Sequence, residues 1–366
     1  MTAKKKLLVV IGTRPNFIKV TRFKEIAARY PHLDLKIVHT GQHFDANMAD
    51  VFFEQFRLTP DYFLNIGAGS ASRQIGEIMV KLEELMTSDF RPDLLLVVGD
   101  VNSTLAAAIA GSKLKIPVAH IESGLRSFDR TMPEEFNRIV TDQVADLHFI
   151  TEPSGLVNLQ NENIPAGKMH LVGNTMIDTL VAFEKEIESS PILEKLNLTP
   201  GQFVLTTIHR PATVDHEEGL RKLIHLFSII TQKNKAVFPI HPRTVNNLKK
   251  FGLHEELLKN KNLIITEPLD YFAFQKLIKY CSYIITDSGG IQEESTFLRV
   301  PCLTLRDNTE RPVTCTTGTN TLVPFDIATI GNYIAQIENH TYKKGAIPDL
   351  WDGHATERIF KVLAGL

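Results

Sequence analysis

Cysteine is scarce. The chain has three in 366 residues, Cys281, Cys302 and Cys315. They make no disulfide framework and match no zinc-ligand spacing, so a reducing cytoplasm is the simplest setting. Charge of one sign is not in excess either. Lys plus Arg is 40 and Asp plus Glu is 42, a net charge of -2. A dedicated nucleic-acid coat, which carries a basic excess, does not fit that balance. No apolar run approaches the ~20 residues of a membrane-spanning helix, so no membrane association is expected. The opening MTAKKKLLVVIGTRP superficially imitates a signal peptide. Its apolar stretch ends at Ile11, short of the ~7–15 residues such a segment needs. No repeat with a solenoid period of roughly 20–50 residues is present. What remains is ordinary globular material, 43% hydrophobic and 22% charged. At about 150 residues per domain, the length implies two domains.

One pattern recurs: a short apolar run, a polar turn, then a helical stretch. LLVVI leads into GTRP, LKIVH into TGQH, LLLVV into GDVNST and PVAHI into ESGLR. The second half repeats it with FVLTTI before HRP, AVFPI before HPRT, YIIT before DSGG and CLTL before RDNTERP. Such runs alternating with helices predict βαβ units, and the lack of polar alternation predicts parallel strands buried on both faces. Residues 184–202, EKEIESSPILEKLNLTPGQ, are charged, hold two prolines and lack a strand signal, so a domain junction is placed near them. The expected fold class is α/β, with two Rossmann-like parallel-sheet domains facing each other across a cleft. Ligands of open α/β sheets bind at the carboxyl ends of strands, where the polar turns cluster.

Several of those turns carry groups suited to chemistry. Asp287-Ser288-Gly289-Gly290 follows YIIT and opens a helix. Its unpaired N–H groups and the helix dipole favour an anion, and glycine lets backbone approach a phosphate. The plain alternative is an Asp/Ser helix cap. Glu294 lies one turn on and can accept both hydroxyls of a ribose, or simply face solvent. In GTRPNFIK, Arg14 and Lys19 oppose the dipole of the helix that Pro15 begins, a mismatch that a bound phosphate would remove. Asp100 and Glu122 end strands of one sheet, and Glu134 and Glu135 begin a helix after Met132-Pro133. Carboxylates gathered in this way can divide general acid and base roles. Asp100 can equally cap the helix at Asn102, and Glu134 and Glu135 can be ordinary first-turn residues. His209-Arg210 and His241-Pro242-Arg243 follow strands of the second half and suit a diphosphate or a structural role. His39 and His43 flank a turn rather than a helical turn, so zinc is not expected there. Gly67-Ala68-Gly69 begins like a dinucleotide fingerprint but lacks its third glycine and a preceding buried strand, so nicotinamide binding is rejected.

Eight segments stand in one order: IGTRPNFIK, TGQHFDANM, GDVNSTLA, HIESGLR, MPEEFNR, GNTMIDTL, TDSGGIQEE and LRDNTERP. Together they resemble the non-hydrolysing UDP-N-acetylglucosamine 2-epimerases over nearly the full length. The resemblance implies the GT-B architecture. Residues 1–175 would form the N-terminal domain, with a last helix at 353–366 packing back on it, and 176–352 would form the UDP-binding domain. It implies interconversion of UDP-N-acetylglucosamine and UDP-N-acetylmannosamine for cell-surface polysaccharide synthesis, through 2-acetamidoglucal, with no cofactor and no metal. A cytoplasmic homodimer is the implied assembly. Residue by residue, Asp100, Glu122 and Glu134 match the family's acid/base carboxylates. Arg14, Lys19 and His209 match phosphate and catalytic positions. Ser288, Gly289 and Gly290 match the diphosphate loop, Glu294 the ribose carboxylate and Phe274 the aromatic position near uracil, with core packing its plain alternative.

The chain departs from the family at three places, reading HRPAT for HRREN, TGQHF for TAQHR and IHPRT for VHLNP. In some bacterial members these segments bind an activating second UDP-N-acetylglucosamine. Gln42, His43, Arg73, Arg210 and His241 are the residues available for that role. TGQHFDANM and HPRT also resemble the branch acting on UDP-2,3-diacetamido-2,3-dideoxy-glucuronate in O-antigen synthesis. A GT-B glycosyltransferase would share the nucleotide site without needing three convergent carboxylates. A nucleotide-sugar sensor would need none of Asp100, Glu122 and His209.

Overall fold

The computed structural model describes residues 4–41 and 53–366. The chain divides into two compact units, Met1–Val181 with Asp349–Leu366, and Ala182–Pro348. Position 175, where the sequence reading drew its boundary, is the first residue of the helix Thr175–Ala182, and the division falls near that helix's end.

Among the described residues the first unit holds seven strands. They are β1 (Lys5–Ile11), β2 (Leu33–His39), β3 (Tyr62–Phe63), β4 (Leu94–Val98), β5 (Val118–Ile121), β6 (Leu147–Ile150) and β7 (Met169–Leu171). Their order is β3-β2-β1-β4-β5-β6-β7, and every adjacent pair is parallel. The order reverses between β1 and β4, which creates a crevice at their carboxyl ends. All five residues of β4 are buried, as expected for a central parallel strand covered on both faces. The helix Ala71–Ser88 shows how the layers seal. Ser70 caps it by accepting from Arg73 N, and Gln74, Ile78, Leu82 and Met86 recur every four residues on the buried face.

The second unit repeats the plan with β8 (Phe203–Thr207), β9 (Lys235–Pro239), β10 (Leu263–Thr266), β11 (Tyr283–Thr286), β12 (Cys302–Thr304) and β13 (Asn320–Leu322). The described strands run β10-β9-β8-β11-β12-β13, again all parallel. Here the reversal lies between β8 and β11, whose last residues, Thr207 and Thr286, are in register.

The charged stretch 184–202 belongs to the second unit. It folds into the short helices Glu184–Ser189 and Ile192–Lys195. Buried Lys276 holds it by donating to the carbonyls of Glu188 (2.8 Å) and Ser190 (2.6 Å). The last helix, Ala355–Gly365, packs on the first unit, with Phe360 edge-on to Phe23 at 5.4 Å. The Asp178 carboxylate receives the N–H groups of Ala355 and Thr356 at that helix's start, an arrangement the dipole favours.

Candidate active site

In the first unit the turn after β1 is tied to the end of β4 by one side chain. Asn16 accepts from Gly12 N (3.3 Å) and Thr13 Oγ1 (3.1 Å), and its Nδ2 donates to the Val98 carbonyl (3.0 Å). Thr13 and Pro15 begin the helix Arg14–Ile18, which lasts one turn and ends at Lys19. The Lys19 ammonium turns inward and forms a buried ion pair with Glu122. This corrects the dipole argument made from sequence: Lys19 lies at the far end of a five-residue helix and is neutralised by Glu122, while Arg14 is exposed at the helix start.

Glu122 adopts φ +70°, in the left-handed region where a non-glycine residue costs about 1–3 kcal/mol. The strain aims its side chain back toward the ends of β1 and β4. Gly99, at φ +68°, makes room: a Cβ there would lie 3.2 Å from Glu122 Oε2, 3.3 Å from Lys19 Nζ and 3.2 Å from Asn16 Nδ2.

Asp100 follows Gly99. Its carboxylate pairs with buried Arg138 and does not cap the helix Asn102–Lys113, whose N-cap is Val101. Arg138 also binds Glu135 at 2.7 Å. Glu135 accepts from Ser127 N (2.9 Å), Ser127 Oγ (3.0 Å) and Phe128 N (2.9 Å). Burial pushes the Glu135 carboxyl up, but these donors and Arg138 outweigh it and hold it below the usual range. Of the paired glutamates, then, Glu135 is the buried clamp of the 127–128 turn, and Glu134 is exposed on the first turn of the helix Pro133–Val144. Glu122 and Asp100 thus stand at neighbouring strand ends, each beside a buried cation.

In the second unit Ser288 is the N-cap of the helix Gly289–Phe297, without using its own side chain. The preceding Asp287 is fully buried and does not cap that helix. It reaches to the end of β8 and accepts the N–H groups of His209 (2.8 Å) and Arg210 (2.7 Å). His209 Nδ1 lies 3.0 Å from the other carboxylate oxygen, which leaves Nε2 for a ligand on a side chain 40% exposed. The rings of His209 and His241 stack at 5.4 Å. His241 caps the helix Pro242–Lys250 by accepting from Arg243 N through Nδ1. Burial, then the neighbouring His209 and Arg243, lowers its proton affinity.

The loop of Ser288, Gly289 and Gly290 is backed by charge. A Cβ on Gly289 would lie 2.9 Å from Glu310 Oε1. Glu310 is held by Arg306 (3.1 Å) and by Arg311, which also reaches Glu293 (2.7 Å). Buried Glu294 bonds Gln275 Nε2, one residue along the helix Tyr271–Tyr280 from half-buried Phe274. Phe274 packs against the cluster that contains Ile192, Ile278 and Ile291.

Arg73 is exposed and paired with Glu77 at 2.7 Å in the first unit, whereas Arg210 and His241 sit beside His209 and its neighbours in the second. Gln42 and His43 lie outside the described residues. Among the described residues no cluster of three His, Cys, Asp or Glu side chains is arranged to hold a metal. No described helix is long and apolar enough to cross a membrane. Sequence reasoning missed Arg138, which anchors Asp100, and the Arg306–Glu310–Arg311 group. The signal for both lay inside quoted segments, MPEEFNR and LRDNTERP.

These observations meet a consistent set of relatives. The profile of the family described as UDP-N-acetylglucosamine 2-epimerase matches residues 24–364. A UDP-N-acetylglucosamine 2-epimerase of Methanocaldococcus jannaschii is 43% identical, with 87% of this chain and 88% of that protein aligned. A UDP-2,3-diacetamido-2,3-dideoxy-D-glucuronate 2-epimerase of Pseudomonas aeruginosa is 41% identical over the same shares. The crystal structure of the M. jannaschii UDP-GlcNAc 2-epimerase in complex with UDP-GlcNAc and UDP is similar at a TM-score of 0.89 and 39% identity, covering 99% of this chain and 100% of that one. The fold class is α/β of the GT-B type, and the chain belongs to the UDP-N-acetylglucosamine 2-epimerase family, isomerases of sugar nucleotides.

Proposed function

We propose that this chain interconverts UDP-N-acetylglucosamine and UDP-N-acetylmannosamine. The C2–H of the sugar is a weak acid, so a placed carboxylate must take the proton. As it leaves, the C1–C2 double bond forms and the C1–O bond breaks with its electrons going to UDP. The product pair is 2-acetamidoglucal and UDP. Return of a proton to the opposite face of C2, with attack of the UDP oxygen on C1, gives the epimer. Atoms and electrons balance without a redox partner.

The observation that carries this reading is the pair Asp100 and Glu122 at adjacent strand ends, each beside a buried cation. Two carboxylates serve the two faces of C2, with Glu134 as the third candidate. The second unit carries the family's nucleotide positions. Ser288, Gly289 and Gly290 offer a helix start to the diphosphate. His209, whose Nδ1 lies 3.0 Å from Asp287, keeps Nε2 for the departing phosphate. In the first unit, Arg14 stands at the family's phosphate position, and Lys19 holds Glu122 in place. Glu294 and Phe274 serve the ribose and the uracil.

The Pseudomonas relative supports a second reading, in which the sugar is 2,3-diacetamido-2,3-dideoxy-glucuronate. Its C2 chemistry is the same, and only contacts at C3 and C6 differ. Parallel assays of both UDP-sugars decide. A higher kcat/KM for UDP-N-acetylglucosamine supports the first reading, and turnover of the uronate alone replaces it. A cytoplasmic homodimer feeding cell-surface polysaccharide synthesis completes the proposal, and light scattering of the purified protein tests the dimer.

A further inference from the structure

Behind the carboxylates lies a buried group that the reaction above does not use. His120, in β5, and Asp142, on the helix Pro133–Val144, have no solvent exposure. His120 Nδ1 lies 2.6 Å from Asp142 Oδ1, and His120 Nε2 lies 2.8 Å from the Gly99 carbonyl. Burial pushes the Asp142 carboxyl up, but His120, His148 and Arg126 outweigh it and hold it well below the usual range, so Asp142 is ionised. A carboxylate and a carbonyl only accept. Both ring nitrogens therefore donate.

The same carboxylate grips the chain on the other side of Glu122. It accepts from Ser123 Oγ and from Gly124 N at 3.0 Å, and Arg126 Nη1 lies 2.7 Å from it. Glu122, in its strained conformation, is thus bracketed by His120 before it and Ser123-Gly124 after it, all fastened to Asp142. Through the Gly99 carbonyl the same ring fixes the residue that precedes Asp100 and packs against the Lys19–Glu122 pair. Arg126 also binds Glu162 at 2.7 Å, so its guanidinium bridges the two carboxylates. Buried charges are tolerated in such satisfied groups.

We propose that His120 and Asp142 are positioning residues for the epimerisation, with Asp142 holding the ring whose Nε2–H sets the Gly99 turn and hence the relative placement of Asp100 and Glu122. This rests on the function proposed above. Two substitutions separate the two halves of the ring. Glutamine places its amide nitrogen near Nε2 and can still donate to Gly99. Asparagine places its amide nitrogen near Nδ1, bonding Asp142 and losing Gly99.

The test compares His120→Gln and His120→Asn by turnover of UDP-N-acetylglucosamine, by the isotope effect with C2-deuterated substrate, and by amide hydrogen exchange of the 99–104 segment. The expected result is a kcat loss of at least tenfold in His120→Asn, with KM little changed, a larger isotope effect and faster exchange in 99–104. His120→Gln should stay closer to the parent than His120→Asn in all three. Equal losses in both variants with an unchanged isotope effect would show a merely structural histidine and overturn the proposal. Should the parent protein leave UDP-N-acetylglucosamine untouched, the function fails separately, and the exchange contrast alone decides: a contrast supports the positioning of the turn, and its absence overturns it.

Discussion

Lys19 and Glu122 are 103 residues apart in the chain and form an ion pair whose side chains are only 5% and 2% exposed. Removing one partner of a buried pair leaves the other charge uncompensated, at about 3–5 kcal/mol. Glu122→Ala should therefore destabilise the protein by roughly that amount in urea unfolding. Glu122→Gln keeps an acceptor for Lys19 but has no carboxyl group to take or return a proton, as does Asp100→Asn beside Arg138. Turnover should fall about 10²–10⁴-fold in both, while UDP affinity by calorimetry is retained. Full activity in both variants would remove the carboxylates from the mechanism.

Gly99 is held to glycine twice over, by φ +68° and by three polar atoms within 3.3 Å of where a Cβ would stand. Gly99→Ala should cost about 1–3 kcal/mol of stability and displace the Lys19–Glu122 pair. Denaturation and kcat measured together check this. A stable variant with unchanged kcat would show that the turn tolerates the shift.

Asp287 satisfies two backbone N–H groups at the end of β8 and lies 3.0 Å from His209 Nδ1. Asp287→Ala leaves those half-buried donors without their acceptor, at about 1–3 kcal/mol in total. Both stability and kcat/KM should drop, and Asp287→Asn, which still accepts, should recover most of the stability but not the negative charge beside His209. Equal stability of the alanine and asparagine variants would contradict the clamp.

His39 sits at the end of β2, buried, with its Nδ1 accepting from Gly41 N at 3.0 Å. Burial lowers its pKa from 6.5 to about 4. The neutral form is thus favoured in the folded state and the unfolded chain binds the proton more tightly. The resulting stability is complete above the unfolded value and is lost as pH falls from about 6.5 toward 4, on the order of 3 kcal/mol. His39→Asn, whose carbonyl can accept from Gly41, should flatten the acid limb of the stability curve across that window. An unaltered slope would show that His39 does not drive it.

The strands were legible because buried parallel strands need unbroken apolar runs, and LLVVI, LLLVV and YIIT supply them. The turns that follow were legible for the same topological reason, so Asp100, Glu122, His209 and Ser288 could be read as strand-end residues. What the sequence could not supply was orientation. Glu134 and Glu135 are chemically identical neighbours, and only helical phase turns Glu135 inward to clamp the 127–128 turn. Asp287 reads as a helix cap until the β8–β11 pairing brings it to His209. His120 reads as one more residue of PVAHI, since its partners Gly99 and Asp142 are 21 and 22 residues away. The sequence sets Lys19 against a helix dipole, but a single-turn helix has little dipole to oppose, and the fold gives it a carboxylate instead.

The most direct measurement is proton NMR of the protein with UDP-N-acetylglucosamine in D2O. The account predicts that UDP-N-acetylmannosamine appears and that deuterium enters C2 of both epimers, because each passage through the glucal exchanges that proton with solvent. Epimer formed without deuterium at C2, or release of free N-acetylmannosamine and UDP in place of the epimer, would contradict it.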